Sequence, residues 1–508
     1  MRRRTTPEIP GGIVVAMPVA IVVGIFGGEV LGAAPAGGAL IGGVVALTVA
    51  FGSGRPVRRG AFLLLALVLV ACAMERRALD GLEHSPLTGP VATRADAVLR
   101  GTLVGDPDGG RWTTRVLLRV DDVRILDRGR RSPRISVRRT VLVVGSDLAA
   151  GRLAVLASGD RVVLSGWLHP LDGFDERWRW HHAVAGFDAG DLLDATTAPS
   201  MFDAAANTAR EIVLRGTDVL PATERALVAG FLVGDTRDLP DEVLTNFRDS
   251  GLSHLLAVSG ANLAFVLALV GPGLRRLPRR GRLVVTVAVL VLFGAMTRWE
   301  PSVLRAGAMA TVAVLAAHVG RPARGVRMLA VAVSGLLLVD PFLVHSVGFG
   351  LSVGATLGIA TLAGPVARHL PGPAWAREAL GTTLAAQVGV LPVLVPVFGS
   401  LPLVSVPANL LAVPLAAPLT IWGLVAGALA GAIATSAPGV ARALQWPTLI
   451  LADAVLGIAR AAAAIPLAVS GEVLGVAALL VAPAIVGRHR RMLARRGTRP
   501  TSTPLPPG

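Results

Sequence analysis

Apolar segments long enough to cross a lipid bilayer recur along most of this chain, and they constrain its fold more than any other feature. A helix needs roughly 20 apolar residues to cross the hydrocarbon core. Only helices and closed barrels satisfy their backbone groups there. We therefore predict a polytopic α-helical membrane protein with about 12 spans. The predicted spans are 13–34, 37–51, 60–74, 253–274, 283–297, 303–319, 327–344, 347–366, 379–398, 403–433, 448–466 and 472–487.

The basic residues explain the net charge of +16 and predict the orientation. The chain contains no Lys, and its Arg residues cluster in short segments beside the apolar spans, at 2–4, 54–60, 275–282, 320–327 and 488–497. Because short loops rich in Lys and Arg stay in the cytoplasm, both termini are predicted to be cytoplasmic in a bacterial plasma membrane. The single cysteine, Cys72, lies in an apolar run and allows neither a disulfide nor a thiolate metal cluster.

One long stretch differs from the rest in composition. Residues 75–205 contain β-rich runs separated by turn sequences such as "DPDGG" and "DRGRRSPR", a pattern typical of a small β-barrel. The charge rule places this domain outside the membrane. The predicted organisation is N-terminal helices at 1–74, the β domain at 75–205, amphipathic interfacial helices at 206–252, a transmembrane domain at 253–487 and a basic, Pro-rich tail at 488–508.

Four ordered blocks resemble the ComEC family of competence proteins. They are "FLVGDTRDLPDEVLTNFRDSGLSHLLAVSGANLAFV" (231–266), "PSVLRAGAM" (301–309), "DPFLVHSVGFGLSVGATLGI" (340–359) and the block 382–418. The resemblance implies a channel that imports single-stranded DNA across the plasma membrane, with an extracytoplasmic OB-like barrel. It also implies partners: membrane lipid, a separate DNA receptor or nuclease outside, and a cytoplasmic motor or single-strand-binding protein.

Two departures from the family limit what carries over. The family's "SGLH" and "GFQLS" are here "SGAN" and "GFGLS", so the His and Gln roles of those motifs do not transfer. After Gly487 the sequence shows no nuclease-like HxHxDH cluster, and without Lys no P-loop forms. We therefore expect no enzymatic activity, no cofactor and no metal site.

The β domain supplies candidate DNA-binding residues. OB-type domains bind single strands through a basic groove and aromatic stacking. A solvated hairpin beside core aromatics is the alternative, because residues 75–209 carry as many acidic residues as Arg. The candidates are Arg128, Arg130, Arg131, Arg134, Arg138, Arg139, Trp167, Phe174, Trp178 and Trp180.

Polar residues within or beside the spans are candidates for lining a path. Such groups usually face the bundle interior or water. The alternative is structural: small residues at 253–268 allow close helix packing, and Glu300 is the expected ion-pair partner of Arg305. The candidates are His254, Ser259, Asn262, Arg298, Glu300, Arg305, Gln387 and Asn409.

Two other functions remain open on the sequence. One is a transporter of another solute or of a lipid-linked substrate. The other is an intramembrane serine hydrolase, because "GLSVG" (350–354) matches G-x-S-x-G, with Ser352 as nucleophile and His345 or His254 as base. A nucleophile elbow needs a strand, a sharp turn and a helix, whereas this motif lies in a continuous apolar stretch.

Overall fold

The structure is a computed structural model, and it describes residues 11–31, 36–53, 55–109, 112–127, 130–131, 133–320, 325–465 and 467–470. Apolar helices form most of it. The helices are α1 (Gly11–Val30), α2 (Ala36–Gly52), α3 (Pro56–Glu83), α4 (Thr88–Ala92), α5 (Asp147–Ala154), α6 (Met201–Arg215), α7 (Ala222–Val233), α8 (Asp241–Asp249), α9 (Gly260–Leu274), α10 (Arg279–Met296), α11 (Pro301–His318), α12 (Gly325–Val339), α13 (Val347–His369), α14 (Ala374–Phe398), α15 (Ser405–Ile433) and α16 (Pro438–Ala463).

Nine strands and three 3₁₀ helices complete the described elements. The 3₁₀ helices are Gly173–His181, Ser253–Leu255 and Pro341–His345. The strands are β1 (Asp96–Leu103), β2 (Asp108–Gly109), β3 (Thr113–Asp127), β4 (Arg130–Arg131), β5 (Ile135–Ser146), β6 (Arg161–His169), β7 (Ala183–Thr196), β8 (Ser400–Pro402) and β9 (Ala468–Ser470).

Five of these strands close into a barrel. The order β1, β3, β5, β7, β6 returns to β1, and every neighbouring pair is antiparallel except β5 and β7. Helix α5 connects β5 to β6, as expected for an OB-like barrel. Alternating side chains of β1, such as Leu99 and Leu103, point into the core, where they meet Leu118, Leu164 and Phe187. The predicted β-barrel is therefore present.

Eight helices in the described part of the chain are long and apolar enough to cross a membrane: α1, α3, α9 with its preceding turn, α11, α13, α14, α15 and α16. Helices α2 and α12 are apolar but shorter. Large apolar side chains such as Phe51, Val284 and Leu411 are exposed, as suits contact with lipid. Helices occupy eleven of the predicted spans. The twelfth, 472–487, and the tail at 488–508 lie outside the described residues.

Several predicted boundaries differ in the structure; for example, α16 begins at Pro438 and not near residue 448. Helix α3 continues to Glu83 instead of ending near residue 74, because "ERRALDGLE" extends the helix with good helix formers. Helix α15 is continuous through Pro414 and Pro418. Prolines are tolerated within membrane helices because neighbouring groups satisfy the freed carbonyls.

Close helix packing joins α13 to α14. Cβ atoms added at Gly354 or Gly389 would collide with the backbone carbonyl of the other glycine, and one at Gly358 would collide with the carbonyl of Ala385. Only small residues permit this approach, and such contacts replace hydrophobic burial as the source of packing in lipid. The "GLSVG" motif lies within α13, so its residues form no strand-turn-helix elbow.

Candidate functional site

A buried arginine joins the barrel to the helical domain. Arg210 on α6 is only 5% exposed. Its guanidinium donates to the carbonyl oxygens of Val233 (2.7 Å) and Met296 (2.8 Å) and forms ion pairs with Asp235 (3.0 Å) and Asp106 (3.2 Å). Asp106 lies in the barrel, whereas its partners lie in the helices, so this contact fixes the two parts together.

Further bonds extend this contact, which we call the arginine junction: Asp106, Arg210, Asp235, Arg237 and Arg298. Arg298 bonds Asp106 at 2.7 Å, and Arg237 bonds Asp235 at 2.7 Å. Burial would raise the pKa of Asp235, but the hydrogen bonds and charge of Arg237 and the charge of Arg210 outweigh it and lower the pKa to about 2. The junction therefore holds Asp235 ionised.

The start of α9 is held by hydrogen bonds. Asn262 is 7% exposed, donates through Nδ2 to the carbonyl of Phe231 (2.8 Å) and accepts through Oδ1 from the hydroxyl of Ser259 (3.1 Å). These bonds tie α9 to α7 and use both ends of the amide. His254 is exposed on the 3₁₀ turn before α9. Of these three path candidates, His254 alone has a side chain exposed to the surroundings.

Arg305 occupies a different environment from the one expected. It is 9% exposed on α11, and its Nε donates to the hydroxyl of Ser352 on α13 at 2.7 Å. Nη1 lies 3.3 Å from the sulfur of Met309. No ion pair of Arg305 occurs among the described residues, so the expected pairing with Glu300 is wrong. Burial raises the pKa of Glu300 and favours its neutral form.

Gln387 and Asn409 both bond Ser405 at the start of α15. Gln387 Nε2 donates to the Ser405 hydroxyl (3.2 Å), and Asn409 Nδ2 donates to its carbonyl (2.7 Å). Asn409 is buried and Gln387 is half-buried. The Gln387 bond connects α14 to α15, whereas the Asn409 bond lies within the first turn of α15, so both side chains have a structural role in the described arrangement.

The basic candidates of the barrel divide into two groups. Arg138 and Arg139 line a cleft of about 330 Å³ between the barrel and α3, together with Arg77 and His182. The Nε of Arg139 is buried without a hydrogen-bond partner in the part of the chain that is described. Arg134 instead faces Asp122 at 3.9 Å. Arg128 and the side chains of Arg130 and Arg131 lie outside the described residues.

The aromatic candidates also separate. Trp167 is exposed on β6. Phe174 is also exposed, and the Arg177 guanidinium lies over its ring, 3.4 Å from the centroid. Trp178 is half-buried beside His181, with centroids 5.2 Å apart. Trp180 stacks on His345 with centroids 3.7 Å apart, so it contacts the membrane domain. Trp167 and Phe174 are therefore the two candidates whose side chains are exposed.

Sequence reasoning missed most of the arginine junction. Asp106, Arg210, Asp235 and Arg237 were not predicted, and Arg298 was predicted for another role. Asp235 and Arg237 lie in "GDTRDL", directly after the buried run of α7, which is the one local signal. Asp106, Arg210 and Arg298 lie far apart in the sequence and meet only in the fold.

Comparison with known proteins identifies the family. The family model described as "Competence protein" matches residues 231–490, just over half of the chain. This chain belongs to the competence protein family. The match includes α9 to α16, and with them Asn262, Arg305 and Ser405. The resemblance stated from the sequence blocks is confirmed, and the chain is a multi-pass membrane protein of that family.

Two curated relatives match part of the chain. ComE operon protein 3 of Bacillus subtilis (strain 168) is 30% identical over 226 residues, which cover 43% of this chain and 28% of that protein. The uncharacterized protein YcaI of Escherichia coli (strain K12) is 29% identical over 224 residues, 40% of this chain and 29% of that protein. The matched segments thus span under a third of the length of these relatives. No solved structure matches.

Proposed function

We propose that this competence family member forms a plasma-membrane channel that imports single-stranded DNA, and that Arg305 contacts its phosphates. The observation that carries the proposal is a buried guanidinium on a membrane helix without a carboxylate partner among the described residues. An uncompensated charge in a span costs roughly 2.5–3.5 kcal/mol on insertion scales. Such a charge is expected where it meets an anion, and Arg binds phosphate strongly.

The barrel supports the same proposal from outside the bundle. Its OB-like strand order is a frequent scaffold for single-stranded nucleic acid. Arg138 and Arg139 place positive charge in the cleft beside α3, at the boundary between barrel and membrane helices. A strand that leaves the exposed face near Trp167 would meet this charge before it enters the membrane domain. In this scheme the barrel is extracytoplasmic and both termini are cytoplasmic.

The channel itself needs no catalytic residue. Strand degradation and pulling are assigned to separate proteins, a receptor or nuclease outside and a motor or single-strand-binding protein in the cytoplasm. Ser352, the nucleophile of the hydrolase alternative, accepts a hydrogen bond from Arg305 inside a continuous helix. That environment favours a role in holding Arg305 over one in catalysis.

The test is uptake of labelled DNA in a deletion strain of the host that is complemented with variants of this chain. Arg305→Gln should lower uptake per inserted molecule at least about tenfold, the effect of losing roughly 1.4 kcal/mol of binding. Arg305→Lys should keep part of the uptake, because it retains the charge without the planar fork.

The matched control is Arg327→Gln, which removes an exposed arginine from the neighbouring α12. It should leave uptake unchanged. Uptake by Arg305→Gln equal to that of the control contradicts the phosphate role. A complemented strain that takes up no more DNA than the deletion strain contradicts the channel proposal itself.

A further inference from the structure

Three possible metal ligands from distant parts of the sequence meet beside the barrel. Glu29 lies near the end of α1, Glu75 on α3 and His345 at the end of the 3₁₀ helix Pro341–His345. One donor atom from each lies within 4.8 Å of the others. His345 Nε2 is 2.7 Å from an oxygen of Glu29. The site is separate from Arg305 and from the arginine junction.

Glu75 gives the strongest indication of a missing partner. Its side chain is 0% exposed, and both carboxylate oxygens are buried without a hydrogen-bond partner in the described ranges. A buried carboxylate with no partner is costly, and it normally gains a cation or a proton. One of these unpartnered Glu75 oxygens lies within 4.8 Å of the ligand atoms of Glu29 and His345 and is therefore placed to share an ion with them.

The backbone around the cluster keeps the two carboxylates together. A Cβ atom added at Gly28 would lie 3.0 Å from the Cβ of Glu75, so α1 and α3 touch at this level. A larger residue at position 28 would force the neighbouring helix to shift by a few tenths of an ångström. The close approach brings the carboxyl groups of Glu29 and Glu75 together, and of the two only Glu29 has a partner, His345, among the described residues.

Neighbouring basic side chains bond other carboxylates. Arg76 bonds Asp80 at 3.3 Å, and His182 bonds Asp340 at 3.2 Å. As metal ligands, two deprotonated carboxylates and an imidazole nitrogen would carry a charge of about −2, which a divalent cation neutralises. One nitrogen and two carboxylate donors suit zinc, which takes His at about 2.0–2.1 Å and Asp or Glu at about 2.0–2.2 Å.

Aromatic rings hold the histidine in place. The Trp180 ring stacks on His345 with centroids 3.7 Å apart and planes 18° apart, and Phe26 meets the same ring edge-on at 6.0 Å. Trp180 belongs to the 3₁₀ helix Gly173–His181, between two barrel strands. The imidazole is thus oriented from both the barrel and the membrane helices, as a metal ligand requires.

We propose that Glu29, Glu75 and His345 bind one divalent transition-metal ion, with Zn²⁺ the expected species, and that this ion fastens α1 and α3 to the 3₁₀ helix Pro341–His345, on which the barrel's Trp180 stacks. The proposal departs from the sequence expectation of no metal site. It does not depend on DNA import. The rival explanation is a Glu–His hydrogen bond with a protonated Glu75 and no ion.

The direct experiment measures bound zinc on the full chain. Tag-free protein in detergent is stripped with a chelator, dialysed against buffered Zn²⁺ and analysed by mass spectrometry of the metal. Wild type should bind one ion per chain, and Glu75→Gln should weaken binding at least tenfold. Glu83→Gln, on the same helix in the exposed group with Asp80 and His84, is the matched control and should bind as wild type does.

Thermal unfolding shows whether a variant that binds no zinc is still folded. A ligand that binds only the folded state raises the melting temperature with its concentration. Zn²⁺ should therefore raise the melting temperature of wild type and Glu83→Gln but not of Glu75→Gln or His345→Asn. Wild type that binds no zinc, or whose melting is unaffected by Zn²⁺ and by chelation, overturns the proposal in favour of the hydrogen bond. Equal zinc binding by wild type and Glu75→Gln overturns it as well.

Discussion

Arg210 and Arg305 are both buried arginines of the helical domain, but their surroundings differ. Arg210 has two carboxylates and two carbonyl oxygens within 3.2 Å. Arg305 has a hydroxyl and a thioether as its hydrogen-bond partners in the described structure. In the first case, two carboxylates of the fold balance the positive charge. In the second, no carboxylate among the described residues balances the charge.

Under the proposed function, Arg210 is a structural arginine and Arg305 contacts the transported DNA. A buried ion pair is strongly destabilising to break, because the remaining charge is left without compensation. An arginine with no counter-ion leaves no carboxylate behind when it is removed. Stability should therefore depend on Arg210 and transport on Arg305, and substitutions can test each half of that statement.

The largest effect is expected at Arg210. Arg210→Met should destabilise the fold by about 3–5 kcal/mol, since Asp106 and Asp235 would remain buried without their shared partner. The measurement is the melting temperature and the yield of monodisperse protein. The control is Arg215→Met on the same helix, whose exposed pair with Glu211 should contribute less than about 1 kcal/mol. Equal losses of stability in the two variants would show that Arg210 contributes no more to the fold than an exposed arginine does.

A smaller effect is expected on acidification. The pKa of Asp235 is about 2 in the folded chain, below its ordinary 3.8, so ionised Asp235 stabilises the fold above about pH 4. That contribution, about 2 kcal/mol, should be lost as the pH falls from about 4 to about 2. Melting curves over this range should fall more steeply for wild type than for Asp235→Asn. Parallel curves would show that Asp235 titrates normally.

The smallest effect is expected at Ser352. Ser352→Ala removes one hydrogen bond of Arg305 and should cost about 1 kcal/mol or less. DNA uptake should stay close to wild type, because the charge of Arg305 remains. A loss of uptake as large as that of Arg305→Gln would mean that the hydroxyl itself is required, and would revive the hydrolase alternative.

The sequence predicted the parts of the fold that depend on local pattern. The apolar runs predicted eleven of the described helices. The β-rich run that contains Leu99 and Leu103 predicted a barrel strand. The end of α3 was misplaced, because its last turns are helical but polar and look like the start of a soluble domain. Composition changes where the environment changes, and a helix can continue past that point.

The polar contacts were harder to predict because their partners are distant in sequence. Arg305 was recognised as costly in a span, but the nearest carboxylate in sequence, Glu300, is not its partner, and Ser352 lies 47 residues away. Asp106 and Arg210 meet only when the barrel docks on the helices. Local spacing identifies residues that need a partner, whereas the partner itself depends on the tertiary fold.

The glycine contact between α13 and α14 restricts how the membrane domain can move. The helices interlock at Gly354, Gly358 and Gly389, where each backbone fills the space that a side chain would occupy in the other. Sliding one helix along the other would break this fit. Under the proposed channel function, we therefore expect α13 and α14 to move together as one rigid hairpin.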